Sequence, residues 1–214
     1  MIYCISDIHG DKNFKGLKEY LKIATDNDIL IVLGDICLQF EKTEENREFT
    51  EFFLSIKKNI AFIDGNHENF PYLNGFPKEE WKGGIVRRIT ENIVYLQRGN
   101  VYQIEDKTFF AFGGCKSSKK WAELGLWYEG ETATEEECVL ARENLRKSGY
   151  SADYILTHKY ENDPNFCNVD FRLCELTKWI EEKVSYKQWL FGHDHVARVL
   201  DEKHECLYDE LKTI

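Results

Sequence analysis

Apolar residues in this chain fall into short unbroken runs, separated by stretches where they recur at helical spacing. The clearest run is Ile29-Leu30-Ile31-Val32-Leu33, five apolar residues with no polar alternation. Such a run reads as a β-strand covered on both faces. It stops at Gly34-Asp35, so it carries a carboxylate to the strand's C-terminal end, where open α/β sheets hold their ligands. Four more runs end in the same way. Met1–Ser6 leads into Asp7-Ile8-His9, and Ile60–Ile63 leads through Asp64 into Gly65-Asn66-His67-Glu68. Tyr154-Ile155-Leu156 ends in Thr157-His158, and Gln188–Phe191 ends in Gly192-His193-Asp194-His195.

Between the runs the period changes. Phe14, Leu17, Tyr20, Leu21 and Ala24 predict a helix from about Asn13 to Ala24, with Asn13 as its cap. Thr43 opens a second helix to about Lys57, with Phe49, Phe52, Phe53 and Ile56 facing inward. A third runs from about 134 to 148, with Glu135, Glu136 and Glu137 in its first turn, Arg146 and Lys147 in its last, and Gly149 after it. A fourth spans 168–183. Residues 69 to about 92, punctuated by Pro71, Gly75, Pro77, Gly83 and Gly84, read as an irregular and functional loop. Ile93–Leu96, Val101–Ile104 and Thr108–Phe112 read as a β-meander starting a second, antiparallel sheet, which Val196–Leu200 and Cys206–Tyr208 complete. With no internal repeat or linker, residues 1–214 read as one α/β domain.

Composition narrows the class. Seven scattered cysteines without a CxxC pair indicate neither a disulfide framework nor a thiolate zinc site, so reduced thiols and a cytoplasmic location are expected. No apolar run reaches the length of a membrane span. A formal net charge of −10 argues against nucleic acid as a partner, since a phosphate-backbone footprint is basic. The histidines sharpen the picture: five of the six sit in the strand-end motifs, and the sixth, His204 in Lys203-His204-Glu205, reads as part of a solvated turn.

Asp7, His9, Asp35, Asn66, His158, His193 and His195 are potential ligands offering oxygen or imidazole nitrogen. That donor mix suits divalent manganese, iron, zinc or nickel better than a soft ion. Seven ligands exceed what one tetrahedral ion takes and suit two ions that share a carboxylate.

Taken in order, Asp-x-His, Gly-Asp, Gly-Asn-His-Glu, Thr-His and Gly-His-x-His resemble the blocks of the calcineurin-like metallophosphoesterases. The resemblance implies a four-layer α/β/β/α sandwich of two mixed β-sheets flanked by helices. It implies two divalent metal ions as cofactors, manganese first among them. Asp7, His9 and His195 would hold one, Asn66, His158 and His193 the other, and Asp35 would bridge them. A water or hydroxide between the ions would attack a phosphoester. His67 would protonate the leaving oxygen or stabilise charge on the phosphate, with Asn66 and His67 touching the substrate. Competing readings on the same fold are a DNA-processing nuclease and a catalytically inactive scaffold.

The departures matter as well. After Gly34-Asp35 the chain continues Ile36-Cys37-Leu38-Gln39-Phe40. It therefore lacks the Asp-Arg-Gly of the Ser/Thr protein phosphatase branch, and with it the acidic partner of His67 and the phosphate-binding arginine. Gly113, Gly114 and Ser117 with their tryptophan-rich sequel resemble small bacterial and phage members. Lys116, Lys119 and Lys120 read as a solvated loop rather than a phosphate grip. Trp81, Trp121, Trp127 and Tyr128 read equally as a lid or as core packing, and Cys37 reads as a small buried hydrophobe.

Overall fold

The computed structural model describes residues 1–160 and 170–214. Cys167, Pro164 and the expected start of the last helix at 168 lie outside the described residues. The chain opens β1 (Ile2–Ile5), α1 (Lys15–Ile23), β2 (Ile29–Leu33), α2 (Glu44–Ser55), β3 (Asn59–Ile63). The next stretch holds α3 (Phe70–Asn74), β4 (Lys78–Trp81), β5 (Gly84–Arg88) and β6 (Ile93–Leu96). Then come β7 (Asn100–Ile104), β8 (Lys107–Phe112), α4 (Lys119–Glu123), α5 (Glu135–Lys147) and β9 (Tyr154–Thr157). The chain closes with α6 (Phe171–Lys183), β10 (Gln188–Phe191), β11 (Arg198–Val199), β12 (His204–Cys206) and β13 (Lys212–Thr213).

Two mixed sheets result, ordered β13-β1-β2-β3-β6-β5-β4 and β11-β12-β10-β9-β8-β7. Each has a parallel centre, β1-β2-β3-β6 in the first and β12-β10-β9-β8 in the second, with antiparallel strands at its margins. Alternation along each strand sorts the apolar side chains into layers. Tyr3, Ile5, Leu30, Val32, Ile60 and Phe62 pack against Leu17 and Tyr20 of α1 and Phe49 and Phe53 of α2. Their neighbours Ile2, Cys4, Ile31, Leu33 and Ile63 meet Phe109, Ala111, Leu156 and Leu190 between the sheets. Phe110, Phe112, Ile155 and Trp189 turn outward onto Ala141 and Leu145 of α5 and Leu173, Leu176 and Ile180 of α6. The four layers are therefore α/β/β/α, and both faces of each central strand are covered. That is why those strands read as unbroken apolar runs.

Four expectations need correction. Residues 69–92 are not irregular: they hold α3 and the β4–β5 hairpin. Pro71 sits in the first turn of α3, where its missing N–H costs nothing, and Lys82 and Gly83 turn the hairpin with φ of 54° and 87°. The three strands after residue 92 are not one meander. β6 joins the first sheet, parallel to β3, and the chain then crosses to the second sheet, which is mixed rather than antiparallel. Asn13 does not cap α1; the N-cap position is Phe14, with no side-chain cap bond. His204 is buried, its ring between Asp201 (2.8 Å from Nδ1) and Glu181 (2.8 Å from Nε2), with the Tyr186 hydroxyl 3.1 Å from Nε2.

Thr134 caps α5. Thr134 accepts from the Glu137 N–H at 3.2 Å, and the Glu137 carboxylate accepts from the Thr134 N–H at 2.9 Å. Thr134→Ala should cost about 1 kcal/mol of unfolding free energy, read from the midpoint of a urea titration at constant slope.

Candidate metal centre

The parallel strands of both sheets deliver their motifs to one rim. At that rim the backbone is unusual: Asp7 and His9, Asp35 and Cys37, and His193 and His195 all have positive φ, between 49° and 71°. A non-glycine residue there costs of order 1 kcal/mol. Cross-strand hydrogen bonds sustain it, from the Asp7 N–H to Gly34 O, the His9 N–H to Asp35 O and the Gly10 N–H to Ile36 O, at 2.8–3.1 Å. From these turns Asp7, His9, Asp35 and His195 direct their side chains into one space. Two glycines permit the close approach. A Cβ on Gly34, whose φ is 92°, would lie 2.5 Å from His158 Nδ1, and one on Gly192 would lie 1.8 Å from Ser6 Oγ.

All eight residues singled out from the sequence converge here, seven of them in two adjoining groups with His67 alongside. In the first, His9 Nε2 and His195 Nε2 are 2.9 Å apart, and Asp7 Oδ1 lies 3.8 Å from His9 Nε2 and 3.4 Å from His195 Nε2. One atom each from Asp7, His9, Asp35 and His195 lies within 4.8 Å of every other, so this group could hold a metal ion. In the second, Asn66 Oδ1 lies 3.2 Å from His158 Nε2 and 3.1 Å from His193 Nδ1, and those nitrogens are 3.3 Å apart. Asp35 Oδ2 belongs to both, at 3.4 Å from His9 Nε2 and 3.4 Å from His158 Nε2. Donors bound at about 2.1 Å to one ion lie roughly 3.0–3.5 Å from each other, and most of the spacings in each group are of that size.

The outer hydrogen bonds aim the donors. Asp7 Oδ2 accepts from the His193 N–H at 2.9 Å, and Asp35 Oδ1 accepts from the His67 N–H at 2.8 Å. Each carboxylate thus has one oxygen engaged and presents the other. Asp7 Oδ1 is buried and lacks a hydrogen-bond donor, as expected of an atom shaped to face a cation. His158 Nδ1 lies 2.7 Å from Leu33 O, which assigns the proton to Nδ1 and turns Nε2 toward the site. Asn66 donates through Nδ2 to Ser117 Oγ at 3.1 Å, which leaves Oδ1 toward His158 and His193.

The charges point the same way. Burial works against ionisation of Asp35, but the charge and contact of His158, with His9 and His67 behind it, hold its carboxyl well below the usual range. For Asp7 burial is likewise outweighed, by the His195 and His9 imidazoles. Burial opposes a charge on His158 too, yet Asp35 raises it to about 10. Burial, the His158 charge and Lys159 push His193 down to about 3. Two buried carboxylates that draw a proton onto a buried imidazole form a donor set with surplus negative charge, which suits divalent cations.

His67 stands beside the donors. Its ring meets Trp121 edge-on at 4.7 Å, Phe40 at 5.2 Å and His9 at 5.2 Å, and no carboxylate hydrogen-bonds it among the described residues. Burial outweighs the Asp35 charge and lowers its pKa below 6.5. A cavity of about 390 Å³ opens here, lined by Asp35, Asn66, His193 and His195 with His67, Lys116, Ser117, Trp121 and Lys159. Lys119 and Lys120 are exposed on α4 and do not line it, and Trp81 packs on Tyr102 at 6.2 Å, away from the site.

The supporting residues were missed in the sequence reading. Glu68 is fully buried and accepts from the Ile36 N–H at 2.9 Å and the Cys37 N–H at 3.3 Å, bracing the turn that carries Asp35. Burial, with Asp35 close by, pushes Glu68 up to about 8. Glu131 accepts from the Ser117 N–H at 2.8 Å. Arg98 is buried and donates to Asp64, through Nε at 2.8 Å and through Nη2. It also donates to Gly130 O, Glu131 O, Thr132 O and Glu137, at 2.8–3.1 Å.

A family model described as calcineurin-like phosphoesterase matches residues 1–197 of this chain. No curated protein matches it. No helix of the described residues is long and apolar enough to cross a membrane.

The Arg98–Asp64 pair links the end of β3 to the loop carrying Ser117 and Trp121. Arg98→Met leaves Asp64 buried without its cation and should cost about 3–5 kcal/mol by urea unfolding. Adding Asp64→Asn should recover part of that loss, the non-additivity expected of contacting residues.

Proposed function

The chain belongs to the calcineurin-like phosphoesterases, and from that membership we propose that it hydrolyses a phosphomonoester or phosphodiester at a pair of divalent ions bridged by Asp35. The observation that carries this reading is the position of Asp35 Oδ2, 3.4 Å from a histidine nitrogen of each donor group. In this reading Asp7, His9 and His195 hold one ion, and Asn66, His158 and His193 hold the other. Manganese is the first expectation, with iron, zinc or nickel as the other ions suited to nitrogen and oxygen donors. The ions would supply an activated water as nucleophile and offset charge on the phosphoryl group.

The chain's own residues do the rest. Asp7 and Asp35 stay ionised at neutral pH, and their N–H partners fix which oxygen each presents. Asn66 is locked by Ser117, so its Oδ1 keeps its direction while its backbone carries His67 to the cavity side. His67 lines the cavity, and Phe40 and Trp121 pack on its ring where the protein phosphatase branch has an acidic partner. We take His67 to donate its proton to the leaving group. The missing Asp-Arg-Gly argues against phosphoprotein substrates and leaves small-molecule phosphoesters as the preferred class.

A phosphoester panel run with manganese, nickel, zinc and magnesium, beside metal analysis of protein purified without chelator, tests the proposal. Hydrolysis with about two equivalents of metal is expected; a protein that takes up no metal and hydrolyses nothing overturns it. Asp35→Asn should lower occupancy of both ions together and nearly abolish turnover, read by metal analysis and kcat. Loss of only one ion would show that Asp35 does not bridge.

His67→Ala should keep both ions. Activity on alkyl phosphates, whose alkoxide needs a proton to leave, should fall roughly 10²–10⁴-fold. Activity on nitrophenyl phosphate, whose phenolate leaves unaided, should fall much less. Equal losses on the two substrates would assign His67 to charge stabilisation instead.

A further inference from the structure

The cavity beside the donor groups has room for more than a phosphoryl group. Its volume of about 390 Å³ lies within the range of pockets that enclose whole small molecules, roughly 300–1,000 Å³. The donors form one part of its lining, and Lys116, Trp121 and Lys159 belong to the part without donors. The two lysines arrive on neighbouring strands. Lys116 lies in the chain leaving β8, Lys159 directly follows His158 at the end of β9, and these strands run parallel with Phe112 beside Thr157. Two lysines thus line one cavity in a protein of net charge −10. Neither is needed to aim the donors, whose orienting bonds come from the His67 and His193 N–H groups, Leu33 O and Ser117.

We propose that the substrate carries a second anionic group, a phosphate or carboxylate on its leaving-group side, and that Lys116 and Lys159 hold it. The enzyme then selects doubly anionic phosphoesters over simple ones. This inference rests on the phosphoesterase reading above, in which the ions offset the charge of the reacting phosphoryl group. Trp121 also lines the cavity and offers an apolar face to the carbon skeleton between the two anions.

The test reads binding rather than turnover. Alkane bisphosphonates with one to five methylenes are titrated calorimetrically into manganese-loaded protein, each against the monophosphonate of equal chain length. At least one bisphosphonate should bind roughly tenfold to a hundredfold more tightly than its partner, as expected for an added charge-assisted contact. Lys116→Ala and Lys159→Ala should each shrink that margin and weaken the monophosphonate less. Equal affinities within every pair overturn the proposal. So does a loss of the same size on both members of a pair in the lysine variants, which would assign the lysines to the reacting phosphoryl group. If bisphosphonates are selected but no phosphoester is hydrolysed with any metal, the anion subsite stands and the hydrolase reading falls.

Discussion

Two buried carboxylates, Asp7 and Asp35, face one space from neighbouring parallel strands, and much of the rim is arranged around keeping them ionised there. Like charges this close repel, and burial removes the water that would screen them. Each is therefore given one backbone N–H and several imidazoles, and the imidazoles come from the other sheet as well as their own. His158 and His193 are carried by β9 and β10, so the donor cluster exists only when both sheets are packed together. The apolar layer between the sheets is, in this sense, what sets the distances in the site.

Positive φ at Asp7, His9, Asp35, His193 and His195 is the local cost of that convergence. The hydrogen bonds between adjacent strand ends hold these residues in that conformation. Behind them Glu68 braces the Asp35 turn, and Arg98 joins the last residue before Gly65 to the loop that holds Ser117. A change at Arg98 can therefore reach Asn66 through Ser117 without touching a donor.

The sequence was most informative where one stretch of chain contained the whole reason for its structure. Apolar runs closing on Asp-x-His, Gly-Asp and His-x-His announced both the covered parallel strands and the donors they deliver. It was least informative where the reason lies far away in the chain. Arg98 looks like a surface charge until Asp64 and Glu137 are placed around it. Ser117 is one serine among lysines until Asn66 faces it across 51 positions. His204 sits in a charged turn, yet β12 runs beside β10 and its ring meets Glu181 of α6 and Tyr186 of the segment before β10. The β6–β7 crossover failed for a related reason. Short strands in succession favour hairpins, but β6 gains more by pairing with β3 and burying all four of its side chains.

The same geometry bears on which ions the site would choose. Two thiols lie close to it: Cys37 Sγ is 3.6 Å from His9 Nδ1, and Cys115 Sγ is 3.8 Å from the His193 ring. Cys37 stands behind the imidazole, on the nitrogen opposite the one that faces Asp35. Burial, reinforced by the charges of Asp35 and Glu68, pushes its pKa well above the ordinary thiol value. A protonated thiol is a poor ligand, and only the thiolate would draw in soft ions such as copper(I). With Cys37 on the far side of the His9 ring, the atoms that face one another in the first donor group are carboxylate oxygens and imidazole nitrogens.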